Sequence, residues 1–314
     1  MLRIVENRRW YFLLSTLIIV PGLIAMIYSM IAFGAPFKMG IDFTGGSLWE
    51  LGFTNQVQPA EMRAVFVDNG FPETLVTTVG AGGKTLEARL KQLSEADRTK
   101  LLAALKAKFG DVTDVQFFAV GPTIGREVTQ AAALAIVAAS LAILLFLLIA
   151  FRNAPHAFRF GVTAIVAMFH DLILTLGIFS ILSLVFGWEA DALFLTAILT
   201  VIGFSVQDTI VVFDRIRENL PKYRGEPYAM VVDRSLTETV NRSLAIHLTA
   251  LFVMAALLIF GGQTIKPFVA VLLVGVTTGT YSSIFNASPL LVAWEERDLL
   301  GVKSAKPRTQ TQAA

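Results

Sequence analysis

Residues 200–219, TVIGFSVQDTIVVFDRIREN, decide how this chain is read. As far as Phe213 the stretch is apolar at most positions, yet it carries one carboxylate, Asp208, with Ser205 at i−3 and Phe204 at i−4. A charge at the centre of a bilayer costs roughly 2.5–3.5 kcal/mol on insertion scales, so such residues face a bundle interior and mark an ion or substrate path. Beyond Phe213 come Asp214, Arg215, Arg217 and Glu218, a charged turn that suits the water surface. The spacing predicts a membrane helix with one acid on a narrow polar face, and an acid kept there for structure alone would need a dedicated partner.

Composition agrees with a membrane chain. Hydrophobic residues make up 55%, charged residues 16%, and the mean hydropathy is +0.66. Apolar runs of spanning length lie at 11–33, 128–151, 160–186, 193–213 and 267–294, and a shorter sixth run lies at 244–260. That last run just reaches the minimum of about 17 residues for crossing the hydrocarbon core. The first run has a basic start (Arg3, Arg8, Arg9) but is too long for a secretory signal and is followed by no cleavage site, so it reads as an uncleaved anchor. Lys and Arg concentrate at the N-terminus, at Arg152 and Arg159, across 214–242, and in a tail with Lys303, Lys306 and Arg308. The short turns at 187–192 and 261–266 hold only Lys266. By the positive-inside rule both termini are cytoplasmic. The division is an N-terminus and first helix (1–33), an extracytoplasmic domain (34–126), a bundle of five further helices (127–296) and a cytoplasmic tail (297–314).

The external stretch alternates its periods. A strand at 47–54, a helix at 59–69 with Met62, Val65 and Phe66 on one face, and strands at 74–79 and 84–90 joined through Gly80–Gly83 lead to a second helix. Ser94 and Asp97 have N-cap spacing there, and Leu101, Leu102 and Leu105 point to a core before Gly110. A strand at 112–119 closes a β-α-β-β-α-β, ferredoxin-like order. No His, no Cys and no Ser–His pairing offers it a catalytic group, although a sheet edge can accept an extended chain.

Inside the membrane runs, His170 and Asp171 stand near the middle of the third, with Thr175 one turn on. They read either as a bonded pair that fixes packing or as part of a proton relay. Three histidines in the whole chain (His156, His170, His247), none at ligand spacing, leave no metal site. Gly275, Gly279 and Ser283 recur every four residues in the last run, a ridge of small side chains for close helix packing, and Ala131, Ala135, Ala138, Ala139 and Ala142 suggest the same for the second. Pro289 with Asn286 predicts a kink.

Several segments resemble the SecF family of protein-export membrane subunits, within the RND transporter superfamily. They are the 200–219 stretch with Gly203, Gly40-Ile41-Asp42-Phe43-Thr44-Gly45-Gly46 and Val120-Gly121-Pro122-Thr123-Ile124-Gly125-Arg126-Glu127 at the domain borders, HDLILTLG from His170, and VGVTTGTYSSIFNASPLL from Val274. The border glycines, Gly45 and Gly46 included, read as tight turns that join helix to domain. Residues 237–243 (TETVNRS) match the family's fifth-helix pattern, with Thr237 where Asn is usual, and so align Arg242 as the partner of Asp208. His247 falls where the family has small polar residues.

The resemblance implies six helices forming an RND-like half bundle, an obligate SecD-like partner and a bacterial inner-membrane location. It also implies use of the proton gradient for late, ATP-independent steps of preprotein export through a SecYEG-type channel, beside a YajC-like subunit and a membrane insertase. Lipid surrounds the bundle; nucleic acid, cofactors and enzymatic chemistry have no place in this scheme. Proton-coupling residues would be Asp208, Arg242, Asp171 and His170. With only half a bundle, the Asp208 face is expected to stay open until the partner covers it. Two other classes remain for comparison. Half of an RND-type lipid or drug exporter would need larger porter domains, and an intramembrane aspartyl protease using Asp171 and Asp208 would need a GxGD box where this chain has Gly203-Phe204-Ser205-Val206-Gln207.

Overall fold

Apolar length sets the architecture, and a computed structural model describes residues 3–79, 83–152 and 156–297. A single turn at Val5–Asn7 leads into α1 (Arg8–Phe33) and the short α2 (Ile41–Thr44). The external domain follows as β1 (Gly46–Phe53), α3 (Pro59–Asp68), β2 (Leu75–Val79), β3 (Thr85–Leu90), α4 (Glu95–Phe109) and β4 (Val112–Val120). The rest is helical: α5 (Pro122–Ala150), α6 (Ala157–Phe186), α7 (Ala192–Lys222), α8 (Tyr228–Phe260), α9 (Lys266–Ser282), a π turn at Ser283–Ala287 and α10 (Ser288–Glu296). Counting α9 through α10 as one, six helices among the described residues are long and apolar enough to cross a membrane.

The external sheet has the order β2-β3-β1-β4 with every neighbouring pair antiparallel, the ferredoxin-like arrangement expected from the sequence. Its core is Trp49, Leu51, Met62, Phe66, Leu86, Leu101 and Leu105, all fully buried. Each large apolar side chain so enclosed contributes about 1.5–3 kcal/mol. Trp49 packs edge-on against Phe66 and Phe117, and its indole donates to Asp114 at 2.9 Å. Ser94 caps α4 by accepting from the Asp97 N–H at 3.2 Å. The turn expected across Gly80–Gly83 lies largely outside the described residues, as does the tail beyond 297.

The membrane helices fall into two groups. α6, α7 and the α9–α10 unit are half buried or more, whereas α1, α5 and α8 are mostly exposed. Glycines allow the closest approaches. A Cβ on Gly22 would lie 2.7 Å from the Gly177 Cα, so α1 and α6 touch backbone to backbone. The ridge of α9 packs on α7: a Cβ on Gly279 would sit 3.2 Å from the Ser205 Cα, and one on Gly275 would run into Val201.

One expectation changes and two gain detail. The stretch 214–242, read as a loop, is helix except for 223–227, because α7 and α8 continue past their apolar segments as a hairpin of paired polar residues. Arg215 bonds Glu238 at 2.5 Å and Glu218 at 2.8 Å, and Asn219 donates to Ser235 at 3.0 Å. Of the α5 alanines, Ala131, Ala138 and Ala142 are exposed in this chain, whereas Ala135 and Ala139 are partly buried. The irregularity expected near Pro289 takes the form of a π turn at Ser283–Ala287. Proline lacks an N–H and its ring crowds the carbonyl four residues back, and a wider turn relieves both. Ser288 helps by donating its hydroxyl to the Ser283 carbonyl at 3.0 Å.

Candidate functional site

A polar seam runs through the bundle where α6, α7 and α9 meet. Asp171 of α6 has no exposed surface. Its Oδ2 accepts from Ser205 Oγ of α7 and Ser282 Oγ of α9, each at 2.6 Å, and its Oδ1 lies 2.9 Å from His170 Nδ1. His170 Nε2 lies 3.1 Å from Asn286 Nδ2, which also donates to Ser15 Oγ of α1 at 2.8 Å. With Asn286 Nδ2 facing the ring, Nε2 is the acceptor and Nδ1 the nitrogen that donates to Asp171; with the amide oxygen there the two roles exchange. A cavity of about 280 Å³ between α1, α6 and α10, lined by Ser15, Thr16, His170 and Asn286 among apolar residues, reaches this histidine from the bundle surface.

Asp208 of α7 is 4% exposed and accepts from Ser283 Oγ at 2.6 Å. Ser282 and Ser283 are adjacent and stand where α9 passes into the π turn, so one short piece of backbone serves both acids. Successive helical residues point about 100° apart, and here one hydroxyl reaches α6 while the next reaches α7. Hydroxyls donate and accept, so an acid–hydroxyl chain can pass a proton and reorient as it does so.

The expected site residues separate into two places. His170 and Asp171 meet, and Ser205 joins them rather than the acid on its own helix. Thr175 stays out, its hydroxyl buried without a partner. Arg242 does not meet Asp208: it lies exposed on α8 and forms no ion pair or hydrogen bond among the described residues, while Ser283 occupies the polar side of Asp208. The Asp208 face is therefore closed within this chain, against expectation. What stays open is an outer face with Gly203, which has no atom near its Cβ position, the exposed Gln207, and Arg242 with the exposed Asn241 beside it on α8. His247 is buried and directs Nδ1 to the Ser243 carbonyl of its own helix at 2.8 Å, away from either acid.

At the domain border Gly45 and Gly46 have φ of 73° and 130°, values that favour glycine. A Cβ on Gly45 would lie 2.9 Å from the Pro122 Cα, and one on Gly125 would lie 2.8 Å from the Gly45 nitrogen. The two border motifs thus pack on each other, through α2 and the first turn of α5. The same segment reaches the bundle, since Gly40 N–H donates to the Ala190 carbonyl at 2.6 Å and Asp42 accepts from the Ala192 N–H at 2.9 Å. Arg89 of β3 pairs with Glu189. Sequence reasoning passed over Ser282 and Ser283 as partners of the acids, and Asn286 and Ser15 as the chain leading on from His170, although the density of hydroxyls in 277–283 of a membrane run was a visible signal.

Residues 100–297 match the family model described as protein export membrane protein SecD/SecF, C-terminal, and residues 31–57 match the SecD/SecF GG motif. A protein translocase subunit SecF from Thermobaculum terrenum is 44% identical over 100% of this chain and 99% of its own length. One from Anaerolinea thermophila is 44% identical over 94% of each. Among solved structures, SecDF from Thermus thermophilus, described as a translocon-associated membrane protein, superposes with a TM-score of 0.77 at 35% identity over 91% of this chain. This chain spans 38% of the length of that SecDF chain. SecDF in its super-membrane-facing form gives a TM-score of 0.63 at 32% identity over the same share.

Proposed function

Because the chain belongs to the SecD/SecF family of protein-export membrane proteins, we propose that it is the SecF half of a SecDF-type complex that uses a proton gradient to promote late, ATP-independent steps of preprotein translocation. Its partner is a SecD-like subunit, and the complex works beside a SecYEG-type channel, with a YajC-like subunit and an insertase as further associates. The location is a bacterial inner membrane with both termini cytoplasmic and the β1–β4 domain outside, in keeping with the Lys/Arg distribution. The relatives carry the name protein translocase subunit, which favours neither the exporter nor the protease reading.

One observation carries the mechanism: Ser282 and Ser283, consecutive at a π turn, bond the two buried acids Asp171 and Asp208. Protonation of either acid changes what its serine can donate to, and a π turn is a place where helix register can shift. A charge moved through 100 mV is worth about 2.3 kcal/mol, enough to bias a bundle whose two arrangements differ by a few kcal/mol. Arg242, Gln207 and Gly203, exposed in this chain, offer the SecD-like partner a face to cover. Covering it is what brings Arg242 into a water-poor site where its charge can act on the relay.

Asp208→Asn tests this reading. The amide still accepts from Ser283 but cannot lose a proton, so the complex should assemble while stimulation of export by the gradient in membrane vesicles disappears. A full gradient response from an assembled Asp208→Asn complex would remove Asp208 from the relay.

A further inference from the structure

At the end of the bundle away from the external domain, the ends of α6, α7, α8 and α10 enclose a cavity of about 480 Å³ that the proton seam does not use. Its lining is basic: Arg159, Arg217, Arg224 and His156 stand against one carboxylate, Glu295. Two of the guanidinium groups are already occupied. Arg159 pairs with Glu295, and Arg217 pairs with Asp214 at 2.6 Å while donating to the Ala150 carbonyl at 3.1 Å. Arg224 has no ion pair or hydrogen bond among the described residues, and the Tyr228 hydroxyl in the same wall has none either. An exposed guanidinium and a hydroxyl, both without a partner among the described residues, therefore line one pocket of ligand size.

The local backbone adds to this potential. α6 and α8 both begin at the cavity, and neither His156 nor Pro227 supplies a side-chain cap, so N–H groups at two helix starts lack side-chain partners. Such ends carry partial positive charge. The remaining wall is apolar, with Phe160, Leu220 and Leu291. On neighbouring faces of the same helices, Phe158 and Trp294 are exposed and meet edge-on at 6.4 Å, the kind of aromatic pair that sits at a lipid headgroup level.

We propose that this cavity binds the phosphate of an anionic phospholipid, with Arg224 and Tyr228 on the phosphate oxygens and the glycerol end against Phe160 and Leu291. A soluble phosphate would use the same polar groups, but it would leave the apolar wall and the exposed aromatic pair without a role. A bound lipid would tie α6, α7, α8 and α10 together at the end of the bundle opposite the border motifs.

The test uses the full chain, purified with its membrane partners in nanodiscs of phosphatidylcholine doped with phosphatidylglycerol, and reads retained lipid by native mass spectrometry. The wild type should keep one phosphatidylglycerol through delipidating steps. Arg224→Gln should lower its retention about fivefold, the factor that roughly 1 kcal/mol per basic residue at an anionic surface corresponds to. Tyr228→Phe, which keeps the ring and the packing, should lower it less, and Lys106→Gln on the external domain should leave it unchanged. Equal retention by wild type and Arg224→Gln would overturn the proposal. So would displacement of the lipid by inorganic phosphate but not by sulfate of equal ionic strength, which would make the cavity a site for the free anion.

Discussion

The inner seam and the outer face of this bundle are built from similar residues and treated in opposite ways. Along the seam Asp171, Asp208, Ser205, Ser282 and Ser283 are buried and bonded to one another. On the outer face Arg242, Asn241 and Gln207 are exposed, and a Cβ on Gly203 would meet nothing within 4 Å. Polar groups are costly in hydrocarbon wherever they stand. The seam is thus a finished piece of structure, while the outer face is the one the proposed function gives to a second subunit. On that proposal Asp208 and Arg242 would belong to one mechanism without touching in one chain.

The largest expected effect separates the two regions directly. Asp171→Leu leaves the hydroxyls of Ser205 and Ser282 and the His170 ring without their acceptor inside the bundle. Each orphaned donor costs about 1–3 kcal/mol, so the variant should lose about 3 kcal/mol in thermal unfolding of the detergent-solubilised chain, or fail to accumulate. Arg242→Leu should stay within about 0.5 kcal/mol of the wild type in the same assay, as surface changes do, and yet lose the gradient response. Arg242→Lys should keep part of that response, since the charge remains without the fork geometry. If Arg242→Leu unfolds the isolated chain, the division into finished seam and open face is wrong.

Glycines sharpen the same contrast. Gly279→Leu drives a side chain into the backbone of α7 at Ser205 and should destabilise the chain by about 1–3 kcal/mol or more, the usual cost of overpacking. Gly203→Leu meets open space and should fold normally by itself. Its cost should appear as poor recovery of the partner subunit on affinity purification. Equal partner recovery for Gly203→Leu and wild type would turn that face from partner to lipid.

Much of this was legible in the sequence. Period and turn residues located every element of the external domain to within a residue or two, because strands and amphipathic helices of a small soluble domain obey local rules. The six spans followed from apolar length. The extent of α7 and α8 was hidden because hydropathy reports where a helix leaves the membrane, not where it stops, and pairs such as Arg215–Glu238 join residues on different helices. The link of Asp171 to Ser205 was hidden for a similar reason. Spacing along α7 puts Ser205 one turn from Asp208, but the hydroxyl turns to Asp171 of α6, a partner invisible in either helix alone. The pairing of Arg242 with Asp208 came from a family pattern, and in this chain Asp208 is instead bonded to Ser283 while Arg242 lies exposed on α8.

A smaller effect is expected where the external domain meets the bundle. Arg89 of β3 and Glu189, the pair that bridges them, are each partly exposed, so Arg89→Ala should cost about 1 kcal/mol at most. Its sign should be local: faster amide hydrogen exchange at 187–191 and in β3, with no change at the β1–β4 edge. Exchange that rises evenly through the sheet would mean that Arg89 holds the domain together rather than holding it to the bundle.

The smallest effect belongs to Asp191, and its sign follows from its surroundings. Burial raises its carboxyl above the ordinary aspartate range; the Phe194 N–H it caps pulls the other way, and the nearby Asp42 carboxylate pushes it further up. An acid whose folded value is raised binds its proton more readily when folded. Stability from this group is therefore lost as pH rises through the window from the ordinary value of 3.8 up to the raised folded value, and regained on acidification. Asn caps helices as well as Asp and carries no charge to desolvate or to repel Asp42. Asp191→Asn should consequently match or exceed the wild type by a few tenths of a kcal/mol at neutral pH, an order set by surface helix-end charges, and the difference should shrink as the pH is lowered through that window. Thermal unfolding of the two proteins across mildly acidic pH measures it. A variant less stable than the wild type at neutral pH, with a gap that closes on acidification, would show that the charged carboxylate at the start of α7 is favourable. The turn between α6 and α7 would then owe its position to that charge rather than tolerate it.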